Sequence, residues 1–174
     1  LEYPNIEIVI EGYSAKCMRE WYTHIGCLPT RLQASTRYIN YENFKYITPH
    51  TIENNKEAKA LWVSLMADIS FTIKRLEKIG IPREDASMAL PLTMETKVVD
   101  KRNLRNYIDM SHQRLCKRAY WEFREMLTDI FNALRKVSPE WEYIIDNHMK
   151  PKCVWMGKCT EKRGCGYINS IKKG

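Results

Sequence analysis

The sequence predicts an α+β protein in a single domain, dominated by helices and carrying a small antiparallel sheet. Three observations predict it. Residues 5–11 alternate apolar and acidic side chains, Asn54 to Ile79 repeats apolar residues every three or four positions, and Lys117 to Val137 shows a second helical pattern. With 174 residues the chain is long enough to bury one core without disulfides or metals.

The first strand, residues 5–11, is predicted to end at Gly12. Ser14 is a suitable N-cap for a helix that passes through Trp21 and Tyr22, and Gly26 with Pro29 should end this helix. The aromatic segment from Tyr38 to Ile47 predicts a second strand, which would pair antiparallel with the first.

The helix over Asn54 to Ile79 has the clearest periodicity. Its predicted buried stripe consists of Ala58, Leu61, Trp62, Leu65, Ile69, Ile73 and Leu76. Gly80 should end it, and Pro82 should open a short helix over Arg83 to Ala89. Further along we expect a third strand over Thr93 to Val99 and helices over residues 102–110 and 117–137. The last of these has the following predicted buried side: Tyr120, Phe123, Leu127, Ile130, Phe131 and Leu134.

The charge and the cysteines restrict the class of protein. Twenty-eight Lys and Arg against 21 Asp and Glu give a net charge of +7, which favours anionic partners such as nucleotides, nucleic acid or a membrane surface. No apolar run approaches the roughly 20 residues of a membrane span, so we expect no membrane insertion. Six scattered cysteines do not require a disulfide framework and favour the reducing cytoplasm. The start at Leu1 shows no signal peptide or initiator Met, which leaves open a missing N-terminal piece.

The first group of candidate functional residues follows the first helix. It contains Arg19, His24, Arg31, Ser35 and Arg37. Guanidinium forks and a hydroxyl that meet in a tight loop are suited to binding a phosphate. The alternative is a solvated basic loop with a histidine that caps the helix.

The second group lies between residues 102 and 124. Its members are Asn103, Arg105, Asp109, His112, Arg114 and Glu122. They would share one pocket if the chain turns near Gln113, and otherwise they form a charged helix face. The common nucleotide, hydrolase and zincin signatures are absent, since the sequence contains no G-x-G-x-x-G, Walker loop, G-x-S-x-G or H-E-x-x-H.

The third group is Cys153, Cys159 and Cys165, spaced C-x5-C-x5-C, with His148 upstream. Structural zinc sites usually use pairs two to four residues apart, so zinc is the minor alternative here. We expect free thiols and assign no metal. We treat residues 146–174 as a basic extension, separate from a domain over residues 1–145.

Two segments resemble the flavin-dependent thymidylate synthases. Arg19 to Tyr38 is similar to the family signature R-Q-W-x-R-H-R-x7-S-x-R-Y, and Ala89 to Arg124 is similar to its L-P-L…T…N-x-R…L-R-x4-A-Q-W-E-I-R segment. In register in the first are Arg19, Trp21, His24, Ser35, Arg37 and Tyr38. In register in the second are Leu90, Pro91, Thr96, Asn103, Arg105, Arg114, Ala119, Trp121 and Glu122. The resemblance extends from about Asn5 to Pro139.

The resemblance implies a homotetramer that binds FAD and dUMP at subunit interfaces. NADPH would reduce the flavin, and methylenetetrahydrofolate would supply the one-carbon unit that reaches C5 of the uracil. Arg114 would be the catalytic residue that polarises the pyrimidine. The implied substrate-binding residues are Glu20, Arg31, Gln33, Ser35, Arg37 and Arg114. The implied flavin-binding residues are His24, Asn103, Arg105 and Asp109.

Three departures from the family pattern concern the substrate. Thr23 and Ile25 flank His24 where the family has arginines, and Glu20 stands where a substrate-contacting Gln is usual. Arg31 is the cation that we expect to compensate. The substrate is therefore dUMP or, alternatively, another pyrimidine nucleotide such as UMP or dCMP. A noncatalytic nucleic-acid-binding module remains the alternative from a different class.

Overall fold

The computed structural model describes residues 1–26 and 28–171, so Cys27 and the last three residues lie outside the described part. The strands are β1 (Asn5–Ser14), β2 (Thr30–Gln33) and β3 (Glu95–Asn103). The helices are α1 (Ala15–Trp21), α2 (His50–Glu53), α3 (Lys56–Lys78), α4 (Arg83–Ala86), α5 (Leu104–Arg114), α6 (Trp121–Arg135), α7 (Pro139–His148), α8 (Lys152–Trp155) and α9 (Tyr167–Ile171). A 3₁₀ turn over Ser87–Ala89 follows α4. The predicted α+β class, rich in helix, is confirmed.

The three strands form one sheet in the order β1-β3-β2. Ion pairs join Lys97 to Glu11 and Lys101 to Glu7, so the residue number falls on β1 as it rises on β3 and the two strands are antiparallel. Along β3 the side chains alternate between buried and exposed positions, with Arg102 among the buried ones. The third predicted strand is therefore present and extends four residues further, to Asn103.

The predicted strand over Tyr38 to Ile47 is wrong. Most of this segment is irregular, with turns at Tyr38 and over residues 42–43, and Tyr46 makes only an isolated antiparallel bridge with Met94. The side chain of Asn40 accepts a hydrogen bond from the backbone of Glu42, and such local bonds let Asn compete with strand pairing. β1 pairs with β3 instead, so the predicted partner of the first strand is also wrong.

The long helix is confirmed as α3, which Asn55 caps through a hydrogen bond from the Ala58 backbone N–H. Its predicted buried stripe is only partly right. Ile73 is buried, whereas Leu61 and Leu65 are 68% and 50% exposed. Each residue turns a helix by about 100°, so positions 61 and 65 face well away from the side that carries Ile73.

The buried side of the second long helix is predicted well. Phe123, Leu127, Phe131 and Leu134 are buried on α6. This helix begins later than predicted because residues 115–120 form the turn that links it to α5. No helix in the described ranges has both the length and the apolar character needed to cross a membrane.

The chain divides into two compact units, and β1 and β3 run through both. The first unit comprises Leu1–Glu7, Glu20–Thr30 and Lys101–Gly174, and the second comprises Ile8–Arg19 and Arg31–Asp100. In the first, Trp21 packs against Tyr107 and Phe123 with ring centroids 6.1 and 5.7 Å apart. The first unit includes the extension, so the boundary that we placed after residue 145 stays a prediction.

Candidate functional site

Around the Arg114 guanidinium, the first unit gathers residues from the ends of α1 and α5. Nε donates to Nε2 of His24 at 2.8 Å, and one terminal nitrogen donates to Oε2 of Glu20 at 2.6 Å. The other terminal nitrogen lies 3.3 Å from the Thr23 hydroxyl. The guanidinium carbon is 5.1 Å from the centre of the Phe123 ring. Three of the predicted site residues, Glu20, His24 and Arg114, are thus in direct contact. We call these three residues the Arg114 cluster.

The His24 imidazole is held neutral. Burial, together with the positive charges of Arg114 and then Arg102, lowers the pKa of His24 to about 4. Because Nε2 accepts the bond from Arg114, the neutral ring carries its hydrogen on Nδ1. His24 can therefore donate one hydrogen bond from Nδ1 to a ligand near neutral pH.

Arg102 and Asn106 hold the loop that carries His24, and our sequence analysis missed both. The buried guanidinium of Arg102 lies 4.0 Å from the centre of the Trp21 ring and donates to Oδ1 of Asn106 at 2.8 Å. Nδ2 of Asn106 donates to the Gly26 carbonyl at 2.5 Å. Arg102 and Asn106 lie four residues apart at the start of a helix, and this spacing was the sequence feature that could have indicated their contact.

The other predicted flavin-binding residues lie at the beginning of α5. Oδ1 of Asn103 accepts the backbone N–H of Asn106 at 3.0 Å and caps the helix. Arg105 pairs with Asp109 at 3.1 Å, and both side chains are about half exposed. These three positions thus have local structural roles, and their flavin contacts stay predictions.

Two members of the second predicted group have other surroundings. Glu122 is buried and accepts a hydrogen bond from the Tyr120 hydroxyl at 2.8 Å. His112 stacks on Trp155 with ring centroids 5.1 Å apart. The members of the second predicted group therefore make several separate local contacts.

The predicted phosphate-binding residues Arg31, Gln33, Ser35 and Arg37 belong to the second unit. The Ser35 hydroxyl accepts the backbone N–H of Arg37 at 3.1 Å. The Arg37 side chain pairs with Glu84 at 2.8 Å and remains 62% exposed. Gln33 donates to the Thr96 hydroxyl at 3.3 Å, while Arg31 lies on β2 beside it. Ser35 and Arg37 thus form one local motif, and their phosphate binding stays a prediction.

The cysteines of the extension line a cavity of about 380 Å³ in the first unit, which we call the cysteine cavity. Its sulfur-bearing residues are Cys116, Cys153, Cys159 and Cys165. Burial raises the pKa of Cys153, and the other three thiols act in the same direction. His148, which the sequence placed with these cysteines, instead lies against Tyr143. Within residues 1–26 and 28–171, no group of three or more His, Cys, Asp or Glu side chains has the arrangement of a metal site.

A second, more open cavity of about 390 Å³ is lined by Arg114 itself, together with Ala119. It shares Gln113, Cys116, Arg118 and Glu161 with the cysteine cavity. Arg114, the predicted catalytic residue, therefore borders an open cavity at the turn between α5 and α6.

Comparisons with known proteins agree with the two signature segments. Residues 1–140 match the sequence profile of the family described as thymidylate synthase complementing protein. The chain is 31% identical over 166 residues to the flavin-dependent thymidylate synthase of Pyrococcus abyssi, covering 93% of this chain and 67% of that protein. For the Pyrococcus furiosus protein of that name the identity is 30%, with the same coverage. For the Clostridium tetani protein it is 26%, covering 99% of this chain and 74% of that protein. The chain spans about two thirds to three quarters of these relatives, and it belongs to the thymidylate synthase complementing protein family.

Proposed function

We propose that the chain is a flavin-dependent thymidylate synthase, a methyltransferase that converts dUMP to dTMP with methylenetetrahydrofolate and NADPH. The observation that carries this proposal is the Arg114 cluster, which brings together residues from both signature segments. The relatives named for this activity extend over nearly the whole chain.

Arg114 suits the role of a group that polarises the pyrimidine. A fixed guanidinium beside a ring carbonyl stabilises the negative charge that develops as C5 becomes nucleophilic. Its contacts with Glu20, Thr23 and His24 hold the fork in place before substrate arrives. The reaction then needs no side-chain nucleophile, so we assign Cys116 no catalytic role.

FAD fits the chemistry of the residues around His24. When bound, the flavin would supply the two-electron redox chemistry of the reaction. The neutral imidazole of His24, with its hydrogen on Nδ1, provides a donor that remains uncharged at neutral pH. Asn103, Arg105 and Asp109 would complete the flavin site with an amide, a cation and an acceptor.

Ser35 and Arg37 would hold the nucleotide phosphate, with Arg31 and Gln33 nearby in sequence. The ion pair of Arg37 with Glu84 is exposed, and such pairs are worth at most about 1 kcal/mol. A phosphate, with more charge and three acceptor oxygens, can therefore replace Glu84 at little cost.

One observation favours a second substrate. The Glu20 carboxylate touches Arg114, where the family usually has a Gln. A carboxylate can accept hydrogen bonds but cannot donate them, so it is suited to the exocyclic amino group of cytosine. This would make dCMP the substrate, with the same C5 chemistry.

We also propose the homotetramer that the family resemblance implies and the cytoplasmic location that the cysteines predicted. Leu61 and Leu65, one turn apart on the same face of α3, are 68% and 50% exposed, and an exposed apolar patch is suited to a subunit interface. The cysteines that the structure describes are free, which agrees with a reducing compartment. Light scattering of Leu61→Glu would test the interface, because a charge there should shift the tetramer toward smaller species.

Release of tritium from C5-labelled dUMP, UMP and dCMP by the flavin-loaded protein would test the function. Arg114→Lys should lower the rate by about 100-fold or more, because removing one preorganised donor costs roughly 3 kcal/mol. Arg135→Lys is the matched control, since Arg135 also forms a 2.6 Å ion pair, with Asp146. Absence of bound flavin, or no tritium release from any of the three nucleotides, would refute the proposal.

A further inference from the structure

The cysteine cavity brings together thiols that are far apart in the sequence. Cys116 lies in the turn between α5 and α6, Cys153 lies on α8, and Cys159 and Cys165 lie in the segment before α9. The spacing of the last three matches zinc sites poorly. The fold, however, supplies a fourth thiol, Cys116, which α6 and α7 separate from the other three in the sequence.

We propose that the cysteine cavity is a metal site in which Cys116, Cys153, Cys159 and Cys165 bind one Zn²⁺ ion, or a similar soft divalent cation, as thiolates. Four thiolates are the usual ligands of a tetrahedral structural zinc ion. The sulfur atoms are not yet in that geometry. A Cys side chain has one rotatable bond, and a change of rotamer moves its sulfur by about 3 Å. The proposal therefore requires these side chains to rotate when the ion binds.

The surroundings of the cavity suit an ion bound by thiolates. Four thiolates around a divalent cation carry two excess negative charges, and the cations Arg118 and Lys152 line the same cavity. Nε2 of His112, another lining residue, is buried and has no hydrogen-bond partner among the described residues. A buried polar atom of this kind calls for a partner, which an ion or its bound solvent would supply.

The packing of the extension also calls for a crosslink. Among residues 150–171 only Ile168 is buried, and Trp155 on α8 is 62% exposed. So little apolar burial stabilises such a segment weakly, and a structural metal would add the missing stabilisation. The loop around Gly164 already lies close to one thiol. A Cβ placed on Gly164 would be only 3.3 Å from the sulfur of Cys159.

Cobalt titration of the full chain, reduced and stripped with a chelator, tests the site directly. We expect one equivalent of Co²⁺ per chain, thiolate-to-cobalt charge-transfer absorption, and the visible bands of tetrahedral cobalt at wavelengths beyond the flavin bands. Cys165→Ser changes an exposed residue and should weaken binding at least about 100-fold, the upper end of what loss of an outer-shell partner costs. Cys17→Ala is the matched control, since Cys17 belongs to the second unit, and should bind cobalt like the parent.

Three results would overturn the assignment. One is the absence of stoichiometric cobalt binding by a chain whose far-ultraviolet circular dichroism shows it to be folded. Another is equal cobalt affinity in Cys165→Ser and Cys17→Ala. The third is a disulfide between two cysteines of the cavity, detected by alkylation and mass spectrometry of the unreduced protein. Flavin content plays no part in these readouts, so they stand apart from the proposed activity.

Discussion

Acidification should destabilise this protein through His24, and the variant His24→Gln should remove that effect. The unfolded chain binds a proton at the ordinary histidine pKa of 6.5, whereas the folded pKa is about 4. Between these two pH values the unfolded state therefore binds more protons than the folded state. The contribution of His24 to the free energy of unfolding is thus fully present above pH 6.5 and is lost as the pH drops toward 4. Gln can still accept the hydrogen bond from Arg114 but does not titrate.

The size of the effect follows from the two pKa values. Linkage gives a loss of about 2 kcal/mol between pH 7 and pH 5, at about 1.4 kcal/mol for each pKa unit. The ring is partly exposed, so solvent screening should reduce the loss to about 1 kcal/mol. Urea unfolding of both proteins at pH 7 and pH 5 measures it. A difference between parent and variant that does not change with pH would refute the neutral, desolvated imidazole.

Three further predictions follow from other contacts. Asn103→Ala should cost about 1 kcal/mol of stability in thermal melts because the helix cap is lost. Asn103→Asp should keep the cap but lose flavin. Unchanged flavin content in Asn103→Asp would contradict the place of Asn103 in the flavin site. Arg37→Met should raise the KM for dUMP by about 10- to 100-fold and change stability by less than about 1 kcal/mol, with Glu84→Gln as a control whose KM does not rise. Phe123→Ala should cost about 3 to 5 kcal/mol in urea unfolding, since the ring is fully buried, and a loss below about 1 kcal/mol would argue against this packing.

The elements that local chemistry determines could be predicted from the sequence. Ser14 caps α1 by accepting the Cys17 backbone N–H at 3.1 Å, as its residue type predicted. The family and the fold class are confirmed, because two ordered signature segments carry far more information than composition. The segment from Tyr38 to Ile47 misled us because aromatic alternation and Asn turns compete there, and the turns prevail.

The remaining features depend on contacts between distant parts of the sequence. No periodicity shows that Arg102 stacks on Trp21, since the two residues meet only in the folded chain. Cys116 and Cys153 likewise line one cavity only in the folded chain. The contact of Glu20 with Arg114 could be anticipated only from the resemblance to the family, and the roles of the predicted site residues stay predictions.

The alternation along β3 makes this strand intolerant of insertions and deletions. Adding one residue before Val98 would turn every later side chain of the strand to the opposite face. Val98 and Arg102 would move from buried to exposed positions, and Arg102 would leave the Trp21 ring that it now covers. Because β3 runs through both units, a single inserted codon would damage both cores at once. Changes of length among homologues should therefore gather in the loops, such as residues 34–49, and avoid residues 95–103.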